Sequence, residues 1–176
     1  GDDPIEAMSG YIASHKPDLI VLATHQRTGA ARWLHGEIAS PVVRSAAVPA
    51  LFVPPDIPGI VDAQTGYTQL RRVLVPVDRH PHPQPAIDIL PFFIGAFYTG
   101  PLAVDFLHVG TAATMPRVKV ADIDAWNFST QTVEGDVVEA ILNHAQMSGA
   151  EMIVMATQGR EGFLDAIRGS TTERVI

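Results

Sequence analysis

The chain has 176 residues, 47% apolar and 18% charged, with a formal net charge of −7, which suits a packed core in one domain and part of another. The acidic balance argues against a general nucleic-acid binder, which carries a basic face, but leaves room for a local phosphate site made of backbone N–H groups. No cysteine is present, so disulfides, thiolate catalysis and Cys-ligated zinc are excluded, and a reducing cytoplasm fits. The chain opens on Gly1 with no basic, apolar leader, and the expectation is a fragment whose ends were lost. Near its start Ile5, Met8 and Ile12 fall on one helical face, and "DLIVLAT" (18–24) reads as a buried parallel strand. A helix is expected over about 36–45, then a strand at "PALFVP" (49–54), then a Pro- and Gly-rich linker over 55–70.

A second series begins at "RRVLVPVD" (71–78), a strand ending in an acid. Pro76 inside it argues against a central position in the sheet. The helix expected in "PQPAIDILPFFIGAF" (83–97) should kink at Pro91. "ILPFFIGAFY" (89–98) is the longest apolar stretch and is too short to cross a bilayer. "PLAVDFLHVG" (101–110) and "AWNFSTQTV" (125–133) read as strands, and residues 111–125 between them are too few for a full crossover helix, so an irregular connection is expected. Val138, Ile141, Leu142 and Ala145 mark a further helical face before the strand "EMIVMAT" (151–157). Alternating strands and helices predict an α/β fold with a doubly wound, mostly parallel, Rossmann-like sheet.

Residues 5–43 align without a gap on residues 138–176, at a constant offset of 133. Glu6/Glu139, Ile20/Ile153, Ala23/Ala156, Thr24/Thr157, Arg27/Arg160 and Gly36/Gly169 are identical pairs. A spacing of that size is a domain, not a solenoid repeat. The expected organisation is therefore the C-terminal half of one domain at 1–54, a linker at 55–70, and a second domain at 71–176 that lacks its last strand.

The loop after the last strand carries the chemistry. In an open α/β sheet ligands sit beyond the carboxyl ends of the strands, where strand order reverses. Gly159 permits close backbone approach. Gly169, Ser170 and Thr171 open a helix whose Ser170-Thr171-Thr172-Glu173 matches a capping box. The free N–H groups and dipole of such a helix start favour a phosphate. Asp78, ending its strand, can accept from an adenine amine or a ribose hydroxyl. Turn glycines and capped helices are also ordinary parts of α/β folds. There is no Walker A lysine and no G-x-G-x-x-G.

"ATQG", nine residues and "GS" resemble the universal stress protein signature of Gly, two residues, Gly, nine residues, Gly-Ser/Thr. "VLVPVD", "IVMAT" and "GSTTERVI" resemble that family as well, and both copies share the likeness. The resemblance implies a five-stranded parallel sheet of the adenine nucleotide α-hydrolase-like type and bound ATP or another adenine nucleotide, with Mg2+ as an optional companion. It implies that Asp78 meets the adenosine end, that Val109 lies beside the base, and that Gly159, Gly169, Ser170 and Thr171 hold the phosphates, with Arg160 in the same loop. Ala156 stands where the motif has its first glycine. In the first copy Gln26 and Glu37 replace a motif glycine and the hydroxyl, so that copy is expected to be degenerate and to act as a structural partner.

The expected role is a stress or regulatory protein of the cytoplasm, without nucleic acid or membrane, paired within the chain or as a homodimer. Marks of adenylate-forming enzymes and any nucleophile–base pair are absent from the sequence, so no enzyme activity beyond weak ATP hydrolysis is expected. The alternative is a structural module that has lost nucleotide and works through dimerisation or partner binding, which Ala156 supports. No metal site is expected. His80, His82 and His108 are the nearest candidates, placed near the crevice but without a completing carboxylate pair. Trp33 and Trp126 are expected in a core or an interface.

Overall fold

The computed structural model describes residues 4–23, 48–54, 59–157 and 175. Their elements run in the order α1 (Pro4–His15), β1 (Ile20–Ala23), β2 (Ala50–Val53), β3 (Arg72–Pro76), α2 (Gln84–Gly95), β4 (Leu102–Val109), β5 (Trp126–Val133), α3 (Val137–Ser148) and β6 (Met152–Ile153). The described residues up to Gly59 form one compact unit and those from Ile60 onward a second. The helix expected at 36–45 and Trp33 lie outside the described residues.

In the first unit β1 and β2 pair in parallel, Ile20 opposite Ala50 through Ala23 opposite Val53. Ile12 of α1 and Ile20 of β1 are buried together, with Ile5, Met8, Leu22, Val48 and Ala50 packed around them. The apolar spacing of α1 thus does what its period requires: one stripe turns to the strands and the other faces stay in water.

The second unit is a four-stranded sheet in the order β5-β4-β3-β6. All three pairings are parallel. Both faces are covered, because residues of opposite parity are buried alike: Leu74 and Leu107 on one side, Val73, Val75, Val104 and Phe106 on the other. Leu74 and Leu107 pack with Ile141 of α3. Such double burial is what makes β3 and β4 nearly continuous apolar runs. Helix α3 starts at Asp136, whose carboxylate accepts from the N–H groups of Val138 and Glu139, and ends at Gly149 with a left-handed φ of 68°. Val138 and Ile141 are buried as their spacing predicts, whereas Leu142, expected on the same face, is 42% exposed.

Two expectations are corrected. Pro76 does not keep β3 at an edge: β3 lies between β4 and β6. The ring is tolerated because Pro76 is the last residue of the strand and its nitrogen faces β6, where the ladder has already ended. Leu74 is opposite Ile153 and accepts from Val154 N–H at 2.9 Å. The next rung would need an N–H at position 76, which proline lacks. The same absence accounts for the second difference: "EMIVMAT" forms only the two-residue strand β6. Pro91 lies inside α2, which runs from Gln84 to Gly95 as the sequence led one to expect of a helix there.

The 60–70 part of the expected linker is also folded. Val61 bridges Thr68, the Asp62 carboxylate accepts from Gln64 N, Thr65 N and Thr65 Oγ1, and Leu70 is fully buried. Those bonds, the Thr65 hydroxyl first, hold the Asp62 carboxyl below its usual range. Residues 111–125 contain no helix, as their number predicts.

One polar group sits inside the sheet. Asp105 of β4 is 3% exposed, accepts from Ser129 Oγ of β5 at 2.6 Å and pairs with Arg72 Nη1 of β3 at 2.5 Å. Burial pushes its carboxyl upward, but the Ser129 hydroxyl, the Arg72 guanidinium and the nearby His144 outweigh it, and the net shift is downward. The His144 Nε2 is enclosed and has no hydrogen-bond partner among the described residues.

Candidate functional site

The chain runs from β3 through β4 to β5 on one side of the sheet, then crosses by α3 to β6 on the other side of β3. Strand order therefore reverses between β3 and β6, and the crevice beyond their carboxyl ends is where an α/β sheet takes a ligand. Asp78 lies two residues past β3 and Ala156 three residues past β6, while Val109 is the last residue of β4. Three strand exits thus bring these three expected residues to one end of the sheet. The other five, Gly159, Arg160, Gly169, Ser170 and Thr171, lie outside the described residues.

Asp78 is exposed, and its Oδ1 accepts from the Arg79 N–H at 2.7 Å. A carboxylate with free lone pairs at a strand exit can accept from hydroxyl or amine donors of a ligand. Val109 and Ala156 are half-buried. They offer apolar surface and backbone polar groups to the same end of the sheet.

The three histidines differ in setting. His80 and His82 are exposed loop residues, and His82 Nδ1 accepts from Gln84 N at 3.3 Å. His108 is instead 2% exposed, with both ring nitrogens engaged, by Val77 O and Thr114 Oγ1. Among the described residues no group of His, Asp or Glu is placed to hold a metal ion. No described helix is long and apolar enough to cross a membrane. Trp126 is half-buried on β5, its ring 6.2 Å from that of Phe128.

Two residues absent from the sequence reading shape this end of the sheet. Arg79 donates through Nε to Thr114 O and through Nη2 to Ala113 O, both at 3.2 Å. Thr114 bonds His108. Neither has a local signature: Arg79 follows a strand that ends in an acid, and Thr114 sits in a run without periodicity. Their partners are 35 and 6 residues away in sequence.

A small pocket of about 240 Å³ lies between α2 and the segment 119–121, lined by Ile87, Asp88, Pro91, Lys119, Val120 and Ala121. Gln84 closes one flank by bonding the backbone of Lys119 in both directions and Asp88 Oδ1.

Comparison with known proteins agrees with this architecture. A solved structure of a universal stress protein from Archaeoglobus fulgidus DSM 4304 superposes with a TM-score of 0.66 over 96% of this chain and 60% of that one, at 19% identity. The chain thus spans about three fifths of that structure's length, and at this identity the likeness shows the fold. No curated protein matches the chain. The family model for the universal stress protein family matches residues 1–54 and 111–176, leaving Asp78 and Val109 outside the matched segments. Two matched segments covering most of the sequence, on a parallel sheet with helices on its faces, identify the chain as a member of the universal stress protein family.

Proposed function

We propose that the chain is an adenine-nucleotide-binding stress or regulatory protein whose nucleotide, ATP first among candidates, is held by the second unit. The observation that carries this reading is the reversal of strand order between β3 and β6, with Asp78, Val109 and Ala156 at the strand exits around it. On this reading Asp78 receives the adenosine end. Gly159 and Arg160, together with Gly169, Ser170 and Thr171, receive the phosphates, with Mg2+ as an optional companion. The first copy is degenerate, because Gln26 and Glu37 stand where backbone approach and a hydroxyl are needed. The protein works in the cytoplasm through partner binding, as a pair of tandem copies or a homodimer, and not as an enzyme.

Calorimetry with ATP tests it. Ser170→Glu copies the first domain's acidic residue into the second and puts a negative charge where phosphate is expected. It should cost about 1–3 kcal/mol, a tenfold or greater loss of affinity. Asp78→Ala should weaken binding by a similar factor, while Glu37→Ser should create no second site. Equal affinity in wild type and Ser170→Glu overturns the phosphate assignment. Wild-type protein that binds no ATP, and releases no nucleotide on denaturation, favours the structural-module alternative to which Ala156 points.

A further inference from the structure

His108 occupies an interior place beside the proposed site and is not needed there as a ligand. Its Nδ1 is 3.0 Å from the carbonyl oxygen of Val77. A carbonyl only accepts, so Nδ1 carries the proton. In the neutral ring Nε2 is then bare and accepts from the Thr114 hydroxyl, 2.8 Å away; the single hydroxyl proton then goes to Nε2 rather than to Thr111 O, which lies 2.9 Å from Oγ1 and already accepts from Thr114 N. Thr114 Oγ1 in turn accepts from Thr111 N at 3.2 Å, and Thr114 N donates to Thr111 O at 3.0 Å. A single imidazole therefore ties the exit of β3, through Val77, to the turn that follows β4. Arg79, next to Asp78, grips the same turn by the carbonyls of Ala113 and Thr114.

Gly110 shows how closely the link is fitted. Its φ is +155°, and a Cβ there would lie 2.7 Å from His108 Nε2 and 3.0 Å from Thr114 Oγ1. Any side chain at 110 must displace the ring or the hydroxyl, and the backbone already favours glycine.

We propose that His108 is a positioning residue for the nucleotide site: through Thr114 it fixes the 110–114 turn against the exit of β3, and so sets the wall that continues from Val109 beside Asp78. This rests on the nucleotide reading above. The ring works as a fixed tautomer, a donor toward Val77 and an acceptor toward Thr114. A ligand touching Asp78 meets a loop whose position is determined twice, by His108 from within and by Arg79 from the rim.

The full chain tests this with Thr114→Val, which keeps the shape and removes the hydroxyl, and Thr114→Ser, which restores it. Hydrogen exchange without nucleotide should show the amides of residues 110–114 exchanging about tenfold faster in Thr114→Val and at the wild-type rate in Thr114→Ser. ATP affinity should fall about fivefold to tenfold in Thr114→Val and recover in Thr114→Ser. Gly110→Ala should reproduce the valine result. Nitrogen NMR of the His108 ring should report a protonated Nδ1. A ring protonated on Nε2 alone, or unchanged exchange in Thr114→Val, overturns the proposal. So does faster exchange with unchanged affinity, since the turn would then not border the nucleotide. Wild-type protein that binds no ATP overturns the nucleotide reading itself, and exchange at the turn still decides whether His108 holds it.

Discussion

Helix α1 with strand β1, and helix α3 with strand β6, are two settings of one pattern. The helices coincide residue for residue under the offset of 133, Pro4–His15 on Val137–Ser148. Ile20 and Ile153, an identical pair, both lie in the strand that follows. Their surroundings then separate them. β1 pairs along four residues with β2, and β6 along two with β3. Tyr11, at the place of His144, is 62% exposed and stacks on His15, whereas His144 has its Nε2 enclosed near Asp105. Gly149 ends the second helix at φ 68°, and Lys16, in the same place, adopts φ 47°. The shared sequence pattern sets helix length and the position of the strand. Neighbouring strands decide how far that strand runs and which side chains are enclosed.

The largest break in this likeness should come from Asp105, which supports only the second setting. Asp105→Ala removes the carboxylate between Arg72 and Ser129 and should cost about 3 kcal/mol. Hydrogen exchange should show α3 and the central strands loosening while α1 and β1 keep their protection. Acid should act in the same sense. The Asp105 carboxyl is held below its ordinary value near 3.8, so its contribution is present above that value and is lost as pH falls through the lower folded one. An acid titration of Asp105→Asn, followed by circular dichroism, should lack that part of the wild-type loss.

Smaller changes sharpen the comparison at the helix ends. Asp136→Ala removes the cap of α3 and should cost about 1 kcal/mol in a denaturant titration. Gly149→Ala should cost about 1 kcal/mol through its left-handed backbone alone, because an added Cβ meets nothing within 4 Å. Lys16→Gly is the mirror experiment and should stabilise α1 by about 0.5 kcal/mol. If Lys16→Gly destabilises α1, the two helix ends are not equivalent.

Much of this fold was legible in the sequence, because apolar runs and a 3.6-residue period register burial directly. "PLAVDFLHV" gave β4 and the Val138/Ile141 spacing gave the buried face of α3. What misled was proline read by position in the chain alone. Pro76 excludes a central strand only if its missing N–H faces a neighbour that needs it, and that depends on pairing register, a three-dimensional fact. Leu142 failed similarly, since of a stripe of four residues Val138, Ile141 and Ala145 pack inward while Leu142 stays exposed. Of the candidate site, Asp78 could be placed by the rule that ligands sit at strand ends, and Val109 by the family resemblance. Arg79, Gly110 and Thr114 could not, because their roles arise from contacts that no local pattern announces.

Pro76 has a further effect. A parallel sheet tends to close from one end of its strands to the other, and closure of β3 with β6 past Ile153 would draw the chain around Val154–Thr157 against Val77 and Asp78. One absent amide hydrogen stops that zipper. On the proposed nucleotide reading, the parting of β3 and β6 at that end of the sheet is thus written into the covalent chemistry of a single residue.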